Sequence, residues 1–176
     1  MRNIVLIGMK ASGKSTLAKE LVEQLNVESI ELDDEIEKLF LTENGEKLSF
    51  REIFLKKGRD YFRKLENKTL KKISLQIKNK SFVLSCGGGT PLLPENRTIL
   101  KKLGKIFFLD TDKNVLLARI LKMGLSAFFK DKDNPEKSLN DILKVRRHWY
   151  EKTADIVVNI KNENPSEIAN KIIDKL

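Results

Sequence analysis

Residues Gly8-Met9-Lys10-Ala11-Ser12-Gly13-Lys14-Ser15 fit the pattern G-x-x-x-x-G-K-[ST] at every fixed position. An apolar run, Ile4-Val5-Leu6-Ile7, precedes them and reads as a buried parallel strand. Leu17, Leu21 and Leu25 follow at four-residue spacing and share one face of a helix. Strand, glycine-bearing loop and helix in that order form a cradle for polyphosphate: the turn aims backbone N–H groups inward, and the helix start adds partial positive charge. In such a loop Lys14 reaches the β- and γ-phosphates and Ser15 ligates Mg²⁺. Gly8, Lys10, Ala11, Ser12, Gly13, Lys14, Ser15 and Thr16 are therefore the candidate contacts for ATP. A glycine-rich turn that binds nothing is the bland alternative, and the flanking strand and helix argue against it.

A chain of 176 residues, 40% of them hydrophobic, suits one domain spanning residues 1–176 with a full core. No apolar run approaches the roughly 20 residues of a membrane span. The N-terminus enters the first strand without a leader pattern. A single cysteine, Cys86, rules out an intrachain disulfide and fits a reducing cytoplasm. Cys86 also lacks the following arginine that a cysteine phosphatase loop needs, so it reads as a small buried residue ending a strand. The net charge is +9, and residues 56–80 hold ten Lys and Arg against Asp60 and Glu66. A basic stripe of this kind is one way to bind nucleic acid. Phe62, Leu65, Thr69, Ile73 and Ile77 recur at helical spacing with most lysines between them, which favours a solvated helix face.

Short apolar runs alternate with helical patterns along the chain. Strands are expected at 4–7, 29–32 (weak), 82–85, 106–109 and 156–158. Helices are expected from 33, from Ser49 to Leu55, from Asp60 to Lys78, from Pro94 to about Gly104, from Asp112 to Lys122, from Glu136 to Lys152, and from Pro165. Ser49 and Glu52 have capping-box spacing. The polar stretch 42–47 reads as a loop, as does the charged stretch 123–135. The expected fold class is α/β, a three-layer P-loop fold with helices on both faces of a five-stranded parallel sheet. Ligands in such a sheet sit at the carboxyl ends of the strands.

Four more candidate sites fall at strand ends or on the basic helix. Glu31 and Asp33, two apart on an extended chain, point the same way. One suits Mg²⁺ through water and the other a hydroxyl proton, while a helix cap is the bland role for Asp33. Gly87-Gly88-Gly89 admits close backbone approach to a ligand, or is simply a flexible turn. Arg63 has Glu66 three residues on as an orienting partner. Arg146, Tyr150 and Ala154 share an R-x-x-x-Y-x-x-x-A spacing. Each arginine alone reads as a surface charge, but two converging on one pocket clamp a carboxylate. His148, the sole histidine, lacks metal-ligand or nucleophile neighbours and reads as packing or surface, and Asp110 and Asp112 read as a strand end and a helix cap.

Taken in order, the phosphate loop, the run Glu31-Leu32-Asp33-Asp34-Glu35-Ile36-Glu37, the run Gly58-Arg59-Asp60-Tyr61-Phe62-Arg63-Lys64-Leu65-Glu66, the run Val83 to Gly89 and the Arg146–Tyr150–Ala154 spacing resemble the shikimate kinase family. The resemblance implies ATP- and Mg²⁺-dependent phosphorylation of the 3-hydroxyl of shikimate. It implies that Asp33 binds the acceptor hydroxyls and acts as base, and that Arg63 and Arg146 hold the acceptor carboxylate. It further implies that Gly87, Gly88 and Gly89 line the acceptor pocket and that Arg119 packs on adenine. A substrate-binding segment at about 33–62, a mobile lid at about 122–135 and a monomeric state come with it.

Four departures from the family pattern stand out. Glu31 replaces the first acid of a D-x-D pair, and Gly58-Arg59 replaces Gly-Glu. The segment from Glu37 to Ile53 is longer than usual. In the lid, Ser126 occupies the position of an expected arginine, within Leu125-Ser126-Ala127-Phe128-Phe129. A comparable arginine elsewhere in phosphoryl transfer is worth roughly 10³–10⁵ in rate. Three readings follow: Lys122 or Lys130 substitutes, the enzyme is slow, or its acceptor differs. A kinase for another anionic polyol or a nucleoside monophosphate is the nearest alternative, and a nucleotide-dependent nucleic-acid-binding protein is a more distant one.

Overall fold

The computed structural model describes residues 3–77, 80–125, 129, 131–161 and 163–176. Five strands, β1 (Ile4–Ile7), β2 (Glu28–Glu31), β3 (Phe82–Ser85), β4 (Lys105–Thr111) and β5 (Ile156–Ile160), form one parallel sheet in the order β2-β3-β1-β4-β5. The helices are α1 (Lys14–Leu25), α2 (Leu32–Asn44), α3 (Phe50–Gln76), α4 (Pro94–Leu103), α5 (Lys113–Met123), α6 (Pro135–Thr153) and α7 (Pro165–Ile173). A short 3-10 turn covers Thr90–Leu92.

Period-two alternation divides the strands between two cores. Ile4 and Leu6 face one side, with Val83, Phe107 and Leu109, and pack on Leu17, Ala18 and Leu21 of α1 and Ile168 and Ile172 of α7. Val5 and Ile7 face the other side, with Leu84, Ile106 and Phe108, beneath α2, α3, α4 and Tyr150 of α6. Three layers result, as the alternation of elements predicts. A third, smaller cluster of Met9, Leu116, Ile120, Phe129 and Leu139 lies where the phosphate loop meets α5 and α6.

The strand register positions the site. Leu6 pairs with Ser85, Ser85 pairs with Glu31, and the Cys86 amide donates to the Leu6 carbonyl at 3.1 Å. The phosphate loop, the triple glycine and the start of α2 therefore leave the sheet at the same level.

Several boundaries differ from the sequence reading. The stretch 42–44 is helical, because α2 runs to Asn44. Buried Leu39 and Phe40 anchor its last turns, and Thr42 Oγ1 and Asn44 Nδ2 donate back to the Lys38 and Phe40 carbonyls. Gly45, at φ 68°, ends it with its amide on the Leu41 carbonyl. The two helices expected at 49–55 and 60–78 are one run to Gln76 broken at Gly58, whose φ of 81° and ψ of 171° are non-helical. Lys78 lies outside the described residues. The capping box is present, with the Glu52 amide on Ser49 Oγ and the Ser49 amide on Glu52 Oε2. Phe62, Leu65, Thr69 and Ile73 are buried along α3 while Lys64, Lys68, Lys71 and Lys72 are exposed, which is the solvated-face arrangement. His148 is exposed against Trp149, and Cys86 is buried as a free thiol.

Candidate active site

The phosphate loop turns on two glycines with left-handed φ, Gly8 at 148° and Gly13 at 95°. A Cβ on Gly8 would stand 2.9 Å from the Leu109 carbonyl oxygen, so this close approach excludes a side chain. Ala11 adopts φ 67° without being glycine, a conformation that costs about 1–2 kcal/mol. Its carbonyl accepts from Arg119 Nη1 at 3.2 Å. Arg119 is exposed on α5 and lies beside Gly13, across the loop from the sheet. Thr111 Oγ1, at the end of β4, donates to the Ser12 carbonyl at 3.1 Å.

Lys14 is buried, and its Nζ donates to the carbonyls of Met9 (2.8 Å) and Gly8 (3.1 Å) and to Ser12 Oγ (3.4 Å). Burial lowers its ammonium to about pKa 8, against the opposing pull of the Asp33 and Glu31 carboxylates. Ser15 and Thr16 are exposed in the first turn of α1, open to a ligand on the loop.

Asp33 does not share an extended strand with Glu31. Glu31 ends β2 and is the N-cap residue of α2, whereas Asp33 lies in the first turn of that helix. The N-terminal helix charge favours a carboxylate there. Burial nevertheless pushes the Asp33 carboxyl up to about 6, reinforced by the negative charge of Glu66 and opposed by Lys14. Both Glu31 and Asp33 remain close enough for their charges to act on Lys14.

The three glycines after β3 are where the other groups meet. A Cβ on Gly87 would lie 3.2 Å from Asp33 Oδ1, 3.3 Å from Thr90 Oγ1 and 3.6 Å from Glu66 Oε1. One on Gly88 would lie 3.2 Å from the Lys10 amide nitrogen and 3.6 Å from Arg146 Nη1. One on Gly89 would lie 2.1 Å from Arg63 Nη2. The absence of side chains lets an acid, two arginines and the phosphate loop close on a single turn.

Arg63 is fixed by a buried network. Its Nη1 pairs with Glu66 Oε2 at 2.7 Å, and Glu66, 1% exposed, also accepts from Thr90 Oγ1 (2.8 Å) and Asn96 Nδ2 (3.1 Å). Arg63 Nε is buried without a hydrogen-bond partner. A buried donor left open on a guanidinium is a ready acceptor site for an anion. Arg146 Nη1 lies 3.5 Å from the Gly88 carbonyl and 3.8 Å from Met9 Sδ. Thr90 and Asn96 were not singled out by the sequence: each is an ordinary polar residue there, 24 and 30 positions from Glu66, and only the fold joins them. Ser126 and Lys130 lie outside the described residues, and Lys122 is exposed in the last turn of α5.

An all-parallel sheet with a phosphate loop at its central strand, facing a buried acid and two arginines, defines a P-loop kinase of small molecules. The family model described as shikimate kinase matches residues 10–176. A shikimate kinase of Haemophilus influenzae is 34% identical over 173 residues, covering 98% of this chain and 91% of the relative. One of Thermodesulfovibrio yellowstonii is 36% identical over 173 residues, covering 98% and 94%. The solved shikimate kinase of Acinetobacter baumannii, in complex with shikimate, superposes with a TM-score of 0.86 at 30% identity, covering 99% of this chain and 92% of that one. The chain belongs to the shikimate kinase family.

Proposed function

We propose that this protein transfers the γ-phosphoryl group of ATP to the 3-hydroxyl of shikimate. The observation that carries this reading is the convergence of Asp33, Arg63 and Arg146 on Gly87-Gly88-Gly89, directly beside the loop that holds Lys14. An acceptor with one carboxylate and a reactive hydroxyl suits a turn met by two arginines and an acid, and the Acinetobacter baumannii relative was solved in complex with shikimate.

Arg63 and Arg146 take the acceptor carboxylate, with the open Nε of Arg63 supplying a donor. Asp33, raised toward neutrality, orients the hydroxyl and accepts its proton. Lys14 leaves the loop carbonyls for the phosphate oxygens when ATP enters, and the loop amides stabilise the charge on the moving group. Gly8, Lys10, Ala11, Ser12, Gly13 and Thr16 line the triphosphate, and Arg119 covers the nucleotide side.

The residues present fit Mg²⁺: the exposed Ser15 hydroxyl at the start of α1 and the Glu31 carboxylate, whose charge acts on Lys14, are hard oxygen donors. Held by these two residues, Mg²⁺ would supply charge neutralisation to the phosphate oxygens during transfer. No helix among the described residues is long and apolar enough to cross a membrane. A monomer of one domain working in the cytoplasm completes the proposal.

The deciding experiment is ADP release from MgATP with and without shikimate, with the product's phosphate position read by phosphorus NMR. Shikimate-dependent release with phosphate on the 3-oxygen supports the proposal. Release indifferent to shikimate overturns it and turns attention to other anionic polyols.

A further inference from the structure

Helix α4 packs Leu100 and Leu103 into the hydrophobic core, and Asn96 lies four residues before Leu100 on the same face. A leucine would continue that apolar stripe. An amide there, 0% exposed, must instead find partners for two N–H donors and an oxygen. Asn96 Nδ2 donates to Glu66 Oε2 at 3.1 Å and to the Thr90 carbonyl at 3.0 Å, and Asn96 Oδ1 accepts from Asn67 Nδ2 at 2.8 Å. The flipped amide would turn its oxygen on a carboxylate and a carbonyl, so its orientation is fixed.

Those bonds join two parts of the acceptor site that the chain keeps apart. Glu66 is the partner of Arg63 on α3, and a pair of long side chains by itself leaves the guanidinium several rotamers. Thr90 closes the glycine turn, with its amide on the Gly87 carbonyl at 3.1 Å and its hydroxyl on Glu66 Oε1 at 2.8 Å. Asn96 holds one oxygen of the Glu66 carboxylate and Thr90 the other, so the carboxylate cannot rotate. Arg63 Nη1 is thereby fixed 2.7 Å from Oε2. Arg63 Nη2 then lies too close to Gly89 to leave room for a Cβ, and Nε stays buried without a hydrogen-bond partner. A guanidinium donor held open in one place favours an ionised carboxylate over a neutral group of similar shape.

We propose that Asn96 is a positioning residue for acceptor selection: it locks Glu66 to the glycine turn and thereby holds Arg63 set for a carboxylate. The proposal deepens the kinase reading above and rests on it. Asn96 acts through Glu66 and needs no contact with the acceptor.

The test measures KM and kcat for shikimate, and compares the affinities of shikimate and its neutral methyl ester by calorimetry. It uses the wild type, Asn96→Leu, Glu66→Gln and the double variant. Asn96→Leu removes the donors and completes the apolar stripe. It should raise KM for shikimate about tenfold, with kcat within about threefold, and should lower the preference for acid over ester about fivefold or more. Adding Asn96→Leu to Glu66→Gln should change that preference by less than about twofold further, because the effect runs through Glu66. Equal losses for acid and ester in Asn96→Leu, or losses that multiply in the double variant, overturn the proposal, since either marks a purely structural joint. A wild type that binds acid and ester alike overturns it too. Should Asn96→Leu fail to fold, Asn67→Ala takes its place: Asn67 is half-buried, and its loss frees Asn96 Oδ1. The preference should then drop about twofold to threefold, and an unchanged preference overturns the proposal. Wild-type turnover of shikimate is measured alongside. Its absence defeats the kinase reading and this proposal with it, whereas normal wild-type turnover with an unaltered preference in Asn96→Leu defeats this proposal alone.

Discussion

Tyr150 donates its hydroxyl hydrogen to the Gly88 carbonyl at 2.5 Å, from a side chain that is fully buried. Four residues earlier on the same helix, Arg146 reaches the same carbonyl. On the outer side, Arg97 Nη1 donates to the Pro91 and Leu92 carbonyls while its Cζ sits 4.2 Å from the centre of the Trp149 ring. Helix α6 therefore grips the glycine turn through its main chain and presents Arg146 in the same act. The four-residue spacing of Arg146 and Tyr150 puts both on one face of one helix, and that face does both jobs.

Tyr150→Phe removes one hydrogen bond and leaves the Gly88 carbonyl poorly partnered, at a cost of about 1–2 kcal/mol in stability. The turn and Arg146 lose their common reference. KM for the acceptor should rise several-fold while KM for ATP holds. Steady-state kinetics in both substrates checks this, and an unchanged acceptor KM would remove Tyr150 from the positioning role.

Gly89→Ala tests how tightly the glycine turn and the buried pair are coupled. Gly89 has an ordinary φ of −102°, so its backbone accepts alanine, but the new Cβ would land on the Arg63 guanidinium. That guanidinium is held by buried Glu66, so making room for the methyl group strains or breaks the pair. The thermal midpoint should therefore fall by several degrees, and the acceptor KM should rise at least tenfold through displacement of Arg63. An unchanged midpoint with normal acceptor affinity would contradict this.

Glu66→Gln tests the buried network. The carboxylate accepts from Arg63, Thr90 and Asn96, and an amide must turn a donor toward one of them. Arg63 keeps its charge without its partner, a loss of about 3–5 kcal/mol. Glu66 is also the strongest charge holding the Asp33 carboxyl up, after burial. The acidic limb of the activity profile should thus shift to lower pH in the variant. A limb that stays in place would show that Glu66 acts on Arg63 alone.

The phosphate loop, the five strands and the glycine turn were legible because each rests on local signals: fixed glycines, apolar runs and helix spacing. The strand order was not, since nothing within β2 or β3 states that β3 inserts beside β1. The end of α2 was misread because Thr42, Glu43 and Asn44 are polar, whereas buried Phe40 and back-bonding side chains extend the helix. For the site, Asp33, Arg63 and Arg146 stood out by residue type and spacing. Their arrangement did not: Asp33 reaches Gly87 from a helix start rather than from a strand, and the Thr90–Glu66–Asn96 contacts exist only once α4 packs on α3. Long-range burial, which sets the pKa of Asp33, has no counterpart in a linear pattern.

The pH behaviour of Asp33 follows from its burial. A base must be deprotonated to accept the acceptor's proton, so kcat/KM should rise as pH increases through about 6, the value to which burial and Glu66 push this carboxyl. Stability runs in the opposite direction. With its folded pKa above the unfolded value of about 4, Asp33 binds more protons in the native state between about pH 4 and 6. Its contribution therefore falls as pH climbs through that window and stays unfavourable above it. Asp33→Asn abolishes both effects: turnover should drop about 10²–10⁴-fold with ATP affinity retained, and stability at pH 7 should increase by on the order of 1–2 kcal/mol. Denaturant unfolding at pH 4.5 and pH 7, beside the pH–rate profile, checks both halves. A variant that is inactive yet no more stable at pH 7 than the wild type would mean that the buried charge is already compensated, and that the pH limb belongs to another group.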